Sequence, residues 1–134
     1  MNPTDNIRAG LKGIETTVVT REITVAHFHP EMPEVYGTPF MIYLMEVAAS
    51  NAIQLLLPEG WVSVGTQVNV KHLAATPVGR TVTATAKVMA VNDRTITFAV
   101  EAHDGVERIG SGTHARAAVE LARFERHLDT KRQL

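Results

Sequence analysis

The chain has 134 residues, a formal net charge of -1 at neutral pH and no cysteine. A chain of this length is expected to form one domain spanning residues 1–134, and the lack of cysteine excludes disulfides, cysteine-ligated metal sites and a cysteine nucleophile. Basic and acidic residues are mixed along the chain, which has only one Trp and two Tyr, so nucleic acid is not an expected partner.

The N-terminal segment MNPTDNIRAGLKG has no apolar core and is not expected to act as a signal peptide. The longest apolar-rich run, residues 39–57, carries Glu46, Ser50, Asn51 and Gln54. These side chains make its centre too polar for a membrane span, so the pattern predicts a buried helix. We therefore expect a cytoplasmic protein that has no membrane partner.

The first half of the chain predicts a strand, a loop and a long helix. Residues 14–26 are rich in Thr, Val and Ile, which is typical of one strand or two short ones. Residues 27–37 contain two prolines and end in a glycine, which indicates a loop. Thr38 before Pro39 predicts an N-cap followed by the first helical residue. The apolar run after it continues to Pro58, giving a helix of about five turns.

The second half predicts strands, because the apolar pattern changes to a period of two. We expect strands over residues 64–72, 81–91, 94–103 and 107–120, with a hairpin turn at Asp104-Gly105. Residues 121–131 are charged and predict a terminal helix. The order favours an α+β fold in which one antiparallel sheet wraps the apolar helix. A second copy of the chain would cover the remaining apolar surface and the open sheet edge.

Three residues form a candidate catalytic group. Glu46 lies in the middle of the apolar helix, where an ionised carboxylate is costly unless it is paired or wetted. His72 is in phase with Val68 and Val70 on the strand face expected to meet the helix, so Glu46 and His72 could form an acid/base pair. The alternatives are a solvent-facing Glu46 and a His72 that only fills the core.

Thr38 has two interpretations, as an N-cap or as a group that stabilises an oxyanion at a helix N-terminus. Eight helical residues rise about 12 Å, so Thr38 and Glu46 of one chain cannot touch. Either the substrate spans that gap or the site combines residues of two chains. Gly65 could allow close approach of a substrate, with a strand bulge as the alternative. His27 and His29 lack the spacing of a known zinc motif, so no metal is expected.

The stretches GTPFMIYLMEVA, SVGTQVNVKHLAATPVG and AHDGVERIGSGTHAR resemble hotdog-fold thioesterases of the fluoroacetyl-CoA thioesterase type. The resemblance covers residues 36–119. It implies the hotdog fold, a homodimer or tetramer, and hydrolysis of a small acyl-CoA without a cofactor, CoA being part of the substrate. It places the catalytic threonine, glutamate and histidine on Thr38, Glu46 and His72.

The same resemblance places a substrate-contacting glycine on Gly65 and an arginine of the site on Arg116, and Tyr36 and Phe40 are further predicted substrate-binding residues. Plain alternation puts Arg116 on the opposite sheet face from Ala117 and Val119, so a bulge at Gly110 or Gly112 would be needed to turn it inward. The segment HFHPEMPEVY before the helix is shorter than its counterpart in the fluoroacetate-specific enzyme and lacks its added phenylalanines. The resemblance therefore implies thioesterase chemistry but does not extend to fluoroacetyl specificity.

Two other functions fit the same fold. An enoyl-CoA hydratase or dehydratase usually presents an Asp and a His near the start of the long helix, and no Asp lies in residues 36–57. A non-catalytic acyl-CoA-binding protein or sensor would use the fold without chemistry. The inward Glu46 and His72 favour catalysis, in which Glu46 acts either as a nucleophile or together with His72 to activate water.

Overall fold

The structure is a computed structural model that describes residues 2–134. It contains five strands and two α-helices. There are also three short 3-10 turns, and the last of them, residues 54–56, continues the first helix. In chain order the elements are β1 (Lys12–Val18), α1 (Thr38–Ile53), β2 (Trp61–His72), β3 (Thr81–Asn92), β4 (Thr95–His103), β5 (Arg108–Glu120) and α2 (Leu121–Arg132).

The predicted strand over residues 14–26 is correct only in its first part. β1 ends at Val18, which pairs with Thr81, the first residue of β3. Beyond that point the ladder has no further strand to pair with, and residues 21–23 and 25–27 form two short 3-10 turns instead. The Thr24 hydroxyl donates a hydrogen bond to the Arg21 carbonyl at 2.6 Å, which stabilises the first of these turns.

The five strands form one antiparallel sheet in the order β1-β3-β4-β5-β2. The predicted hairpin turn is present, because Gly105 has a φ of 87° and the Asp104 carboxylate accepts bonds from the amides of Val106 and Glu107, each at 2.9 Å. The edge strands are β1 and β2. On β2, residues 65–69 are exposed, which leaves a long edge next to the helix uncovered.

Helix α1 packs on the sheet and contacts strands β1, β2, β3 and β4. Its buried side chains meet the inward residues of β3 and β4, and together they form the core of the domain. On the helix these side chains are Met41, Leu44, Met45, Ala48, Ala49 and Ile53. This agrees with the predicted α+β fold. The segment Thr38–Leu56 is long and apolar enough to cross a membrane, and 33% of that window is buried within the domain.

Candidate active site

Thr38 and His72 are in contact. The Thr38 hydroxyl lies 2.7 Å from Nδ1 of His72, within hydrogen-bond distance. The predicted N-cap role of Thr38 is wrong, because Gly37 is the N-cap and Thr38 is the first helical residue. Its hydroxyl is therefore not used in capping, and it is directed to the end of β2, where the strand brings His72.

The environment of His72 favours a neutral imidazole. Burial lowers the pKa of His72, since a charged ring is poorly solvated there. Its Nε2 atom is buried and has no hydrogen-bond partner among residues 2–134. Thr38 and His72 also line a cavity of about 380 Å³ between the loop before α1 and the end of β2. A neutral histidine beside a hydroxyl can accept a proton, which is the requirement for general-base catalysis.

Glu46 lies further along α1, against the other half of β2. Its carboxylate is 3.7 Å from Nη1 of Arg116, whose side chain is only 9% exposed. Glu46 itself is partly open, with 37% of its side chain exposed. The two interpretations of Glu46 are thus resolved in favour of a paired, half-buried carboxylate that can still be reached from outside.

Arg116 faces the helix, and the predicted irregularity at Gly110 is present, because the β4–β5 register shifts where Ala102 pairs with Gly110 and His103 pairs with Arg108. Buried residues of this part of β5 include His114, Arg116 and Ala118, which alternate on one face. The expectation that Ala117 and Val119 define the inner face is therefore wrong. The Arg116 guanidinium also donates to the hydroxyl and the carbonyl of Ser63, at 2.8 and 2.9 Å. These contacts hold its charge beside Glu46.

His114 is part of this cluster and was missed as a site residue by the sequence reasoning. Arg116 Nη1 lies 3.2 Å from Nε2 of His114, and the Gln67 carbonyl lies 2.9 Å from Nδ1. Since arginine can only donate, Nε2 must accept, and Nδ1 donates to Gln67. Burial lowers the pKa of His114 and the Arg116 charge acts in the same direction, so this histidine is held neutral. The spacing His114-x-Arg116 on one strand was the available signal.

Gly65 lies directly under the Glu46 carboxylate. A Cβ atom at this position would stand 2.8 Å from Oε2 of Glu46 and 3.2 Å from Cε1 of His114. A register shift follows between Gly65 and Gln67, so the predicted alternatives of close approach and bulge are both present. The absence of a side chain at residue 65 leaves room for the carboxylate.

The candidate catalytic residues form two separate groups within one chain. His72 contacts Thr38, whereas Glu46 contacts Arg116 and lies over Gly65. Gly65 and His72 are seven residues apart on β2, about 23 Å along an extended strand. Among residues 2–134, the Glu46–His72 pairing suggested by the sequence is therefore not formed within a single chain. The separation expected between Thr38 and Glu46 is present.

Tyr36 and Phe40, predicted to contact substrate, line a second cavity of about 620 Å³ between β1 and α1. Phe40 stacks on Phe28, with the ring centroids 6.2 Å apart. Tyr36 also lines the cavity that contains Thr38 and His72. Its hydroxyl is buried and has no hydrogen-bond partner within the described residues, and burial raises the pKa of Tyr36 to about 12. It is therefore a protonated donor available beside the Thr38–His72 pair.

Comparison with known proteins gives a consistent set of relatives. The family model described as fluoroacetyl-CoA-specific thioesterase, FlK, matches residues 19–122. The fluoroacetyl-CoA thioesterase of Streptantibioticus cattleyicolor is 44% identical over 126 residues, which cover 90% of this chain and 91% of that protein.

Solved structures agree in fold. A variant of the fluoroacetyl-CoA-specific thioesterase FlK in complex with fluoroacetate and CoA is 44% identical, with a TM-score of 0.81 over 88% of this chain and 99% of that chain. A Thermus thermophilus hypothetical protein, described as a thioesterase superfamily member, is 29% identical, with a TM-score of 0.89 over 96% of each chain. One sheet and one central helix are thus shared over nearly the whole length.

Proposed function

The chain belongs to the fluoroacetyl-CoA-specific thioesterase family, and from that premise we propose that it hydrolyses a small acyl-CoA thioester to the free acid and CoA. The main support from this chain's own residues is the 2.7 Å contact between the Thr38 hydroxyl and His72, whose pKa is lowered. A sensor of acyl-CoA would have no need of a neutral base held against a hydroxyl.

The active form proposed is a homodimer in which each site takes residues from two chains. Support comes from the exposed edge of β2 and from apolar side chains left uncovered, including Val68 at 39% and Tyr43 at 67% exposure. Pairing of two copies along β2 would place Glu46 of one chain opposite Thr38 and His72 of the other. The gap between the two groups in one chain then has a simple explanation.

In this arrangement each residue has a distinct task. Thr38, held by His72, orients the thioester carbonyl or the attacking group. His72, neutral at physiological pH, accepts a proton. Glu46, placed by Arg116 and by the space over Gly65, either attacks the carbonyl carbon or activates water. When water is the nucleophile, one C–S bond breaks, one C–O bond forms, and a proton is left for the departing CoA thiolate. These tasks need no cofactor and no metal.

The acyl group is proposed to be small but not restricted to fluoroacetyl. The segment from residue 27 to residue 36 offers Phe28, Met32 and Tyr36 to the substrate, and Phe28 and Met32 are 64% and 46% exposed. We propose a cytoplasmic location, consistent with a chain that lacks cysteine.

Release of CoA thiol from a panel of acyl-CoAs, fluoroacetyl-CoA among them, tests the activity. His72→Ala and Glu46→Gln should each lower the rate of hydrolysis by about 10²-fold, the scale of lost acid/base help. Near-wild-type turnover in both variants would remove the catalytic assignment. No thiol release from any acyl-CoA by the wild-type protein would favour an acyl-CoA-binding role instead.

A further inference from the structure

A separate cavity of about 490 Å³ lies where β2 begins, β5 ends and α2 packs. Its volume is within the range of about 300–1,000 Å³ typical of small-molecule sites. Aromatic and basic side chains dominate its lining: Trp61, Arg94, Arg123, Phe124 and His127. None of these residues belongs to the candidate active site.

The charges in this cavity are not neutralised by partners elsewhere. Arg94 lies over the ring of Trp61, 4.8 Å from its centroid, and within residues 2–134 neither Arg94 nor Arg123 forms an ion pair. Glu120 is the one carboxylate among the lining residues. Two arginines against one glutamate make the cavity cationic. Such a surface suits an anion that also has an aromatic ring.

The cavity is connected to the candidate active site through β2. Ser63 binds Arg116, and Gly65 faces Glu46. Strand alternation places Trp61 on the same face as Ser63 and Gly65. Trp61 is four residues before Gly65, about 13 Å along the strand. A ligand that reached from Glu46 to this cavity would need a long linker between its reacting end and an anionic, aromatic end.

CoA thioesters have that construction, since a pantetheine arm separates the thioester from an adenosine bearing a 3′-phosphate and a 5′-diphosphate. We propose that the Trp61–Arg94–Arg123 cavity binds the nucleotide end of the acyl-CoA substrate, with adenine against the aromatic rings and the phosphates beside the two arginines. This inference rests on the proposed function. It assigns the cavity to recognition of CoA and leaves the acyl group to the other end of the site.

Trp61 is the only tryptophan in the chain, so its fluorescence reports directly on this cavity. Titration with adenosine 3′,5′-bisphosphate should give a saturable change in emission that weakens at high salt. The double variant Arg94→Gln/Arg123→Gln should bind the nucleotide at least about fivefold more weakly by calorimetry, and Glu120→Gln about twofold more tightly, as expected for exposed charge contacts. Arg126→Gln, on the same helix but outside the cavity lining, is the matched control and should bind like the wild type.

Kinetics distinguish a defect in nucleotide binding from a defect in thioester cleavage. In the double variant, KM for acetyl-CoA should rise at least about fivefold, in line with the weaker nucleotide contacts. Hydrolysis of S-acetyl-N-acetylcysteamine, which has no nucleotide, should be unchanged. Equal losses on both thioesters, or no response of Trp61 and no calorimetric signal with millimolar nucleotide, would overturn the inference. A wild-type protein that binds the nucleotide at this cavity but cleaves neither thioester would instead refute the proposed function and leave the nucleotide site standing.

Discussion

The carboxylate of Glu46 occupies the volume that a side chain on Gly65 would fill, and its Oε2 lies only 2.8 Å from the position of a Cβ atom there. The neighbour that must move is the end of a flexible side chain and not the backbone. A methyl group at residue 65 should therefore displace the carboxylate and disturb the fold little.

Gly65→Ala should lower kcat by at least about tenfold while changing the free energy of unfolding by less than about 1 kcal/mol. Kinetics and chemical denaturation on the same preparation measure both. Gly112→Ala is the contrasting variant, because a Cβ there would meet the backbone of Asn69 and Val70. It should lose stability first. A Gly65→Ala enzyme with full activity would show that the position of Glu46 is not critical.

Thr38→Val removes the hydroxyl that contacts His72 and keeps the β-branched shape. Because Thr38 makes no capping hydrogen bond, stability should change by no more than about 1 kcal/mol. The value of kcat/KM should fall at least about tenfold if the hydroxyl orients the reacting groups. Thr38→Ser keeps the hydroxyl and should retain most activity. Equal activity of the Val and Ser variants would limit Thr38 to a packing role.

Buried His114 and half-buried His72 predict how stability and activity depend on pH. Burial lowers the pKa of both His72 and His114, so the unfolded chain binds protons more readily than the folded one just below the ordinary histidine value of about 6.5. The stability they contribute is present above that value and is lost as pH falls through the folded pKa values. Thermal melts should show Tm falling below about pH 6.5, and less so in His114→Gln.

Activity should follow the same direction, because the proposed mechanism needs neutral His72. The acid limb of kcat/KM against pH should therefore have its midpoint below about 6.5. A midpoint above that value would mean that another group controls the acid limb.

The order of elements could be predicted because each is encoded locally. Thr alternates with apolar residues along β3 and at the start of β4, and an apolar run closed by Pro58 marks α1. These patterns identify the elements without knowledge of their partners. The residues after Val18 also have strand-forming side chains, but a strand requires a neighbour, and β3 begins only at Thr81. The point where β1 ends therefore depends on a tertiary contact, which the local pattern does not contain.

Most residues of the site could be picked out from the sequence, but the contacts between their side chains could not. Glu46 and His72 stood out as polar groups on faces expected to be apolar. The contacts they make, with Arg116 and Thr38, depend on how far each lies along α1 and β2. His114 was not predicted as a site residue, since a lone inward histidine is usually a core residue. Its role depends on Arg116 and on the Gln67 carbonyl of the facing strand.

Tyr36→Phe tests whether the buried hydroxyl serves the substrate. That hydroxyl has no protein partner within residues 2–134, so its removal should leave stability unchanged or improve it by up to about 1 kcal/mol. If it donates to the bound thioester, kcat/KM should fall by about threefold to tenfold, the value of one lost hydrogen bond. Wild-type protein prepared alongside is the reference, and a thermal melt of both checks that the fold is unchanged. Kinetics identical to those of the wild type would assign Tyr36 to packing alone.

The proposed sharing of each site between two chains can be tested with mixed dimers. One preparation carries His72→Ala and the other Glu46→Gln, and each is nearly inactive alone. In a mixed dimer, one site combines both changes and the other has neither, provided that Glu46 of one chain serves Thr38 and His72 of its partner. Random mixing makes about half of the dimers mixed, so activity should recover to about a quarter of the wild-type value.

The alternative is a site built within one chain, in which every chain of the mixture has a defect and no activity returns. Exchange of subunits must be confirmed first, by mass measurement of differently tagged copies, and light scattering should give the mass of a dimer at micromolar protein. A control mixture of His72→Ala with Thr38→Val should stay inactive, because both residues belong to the same group and a mixed dimer would have a defect in each site. Recovery in the first mixture and not in the second would place Glu46 across the interface from Thr38 and His72. If neither mixture recovers activity although exchange is confirmed, each site uses Thr38, His72 and Glu46 of the same chain, and the substrate spans the gap between them.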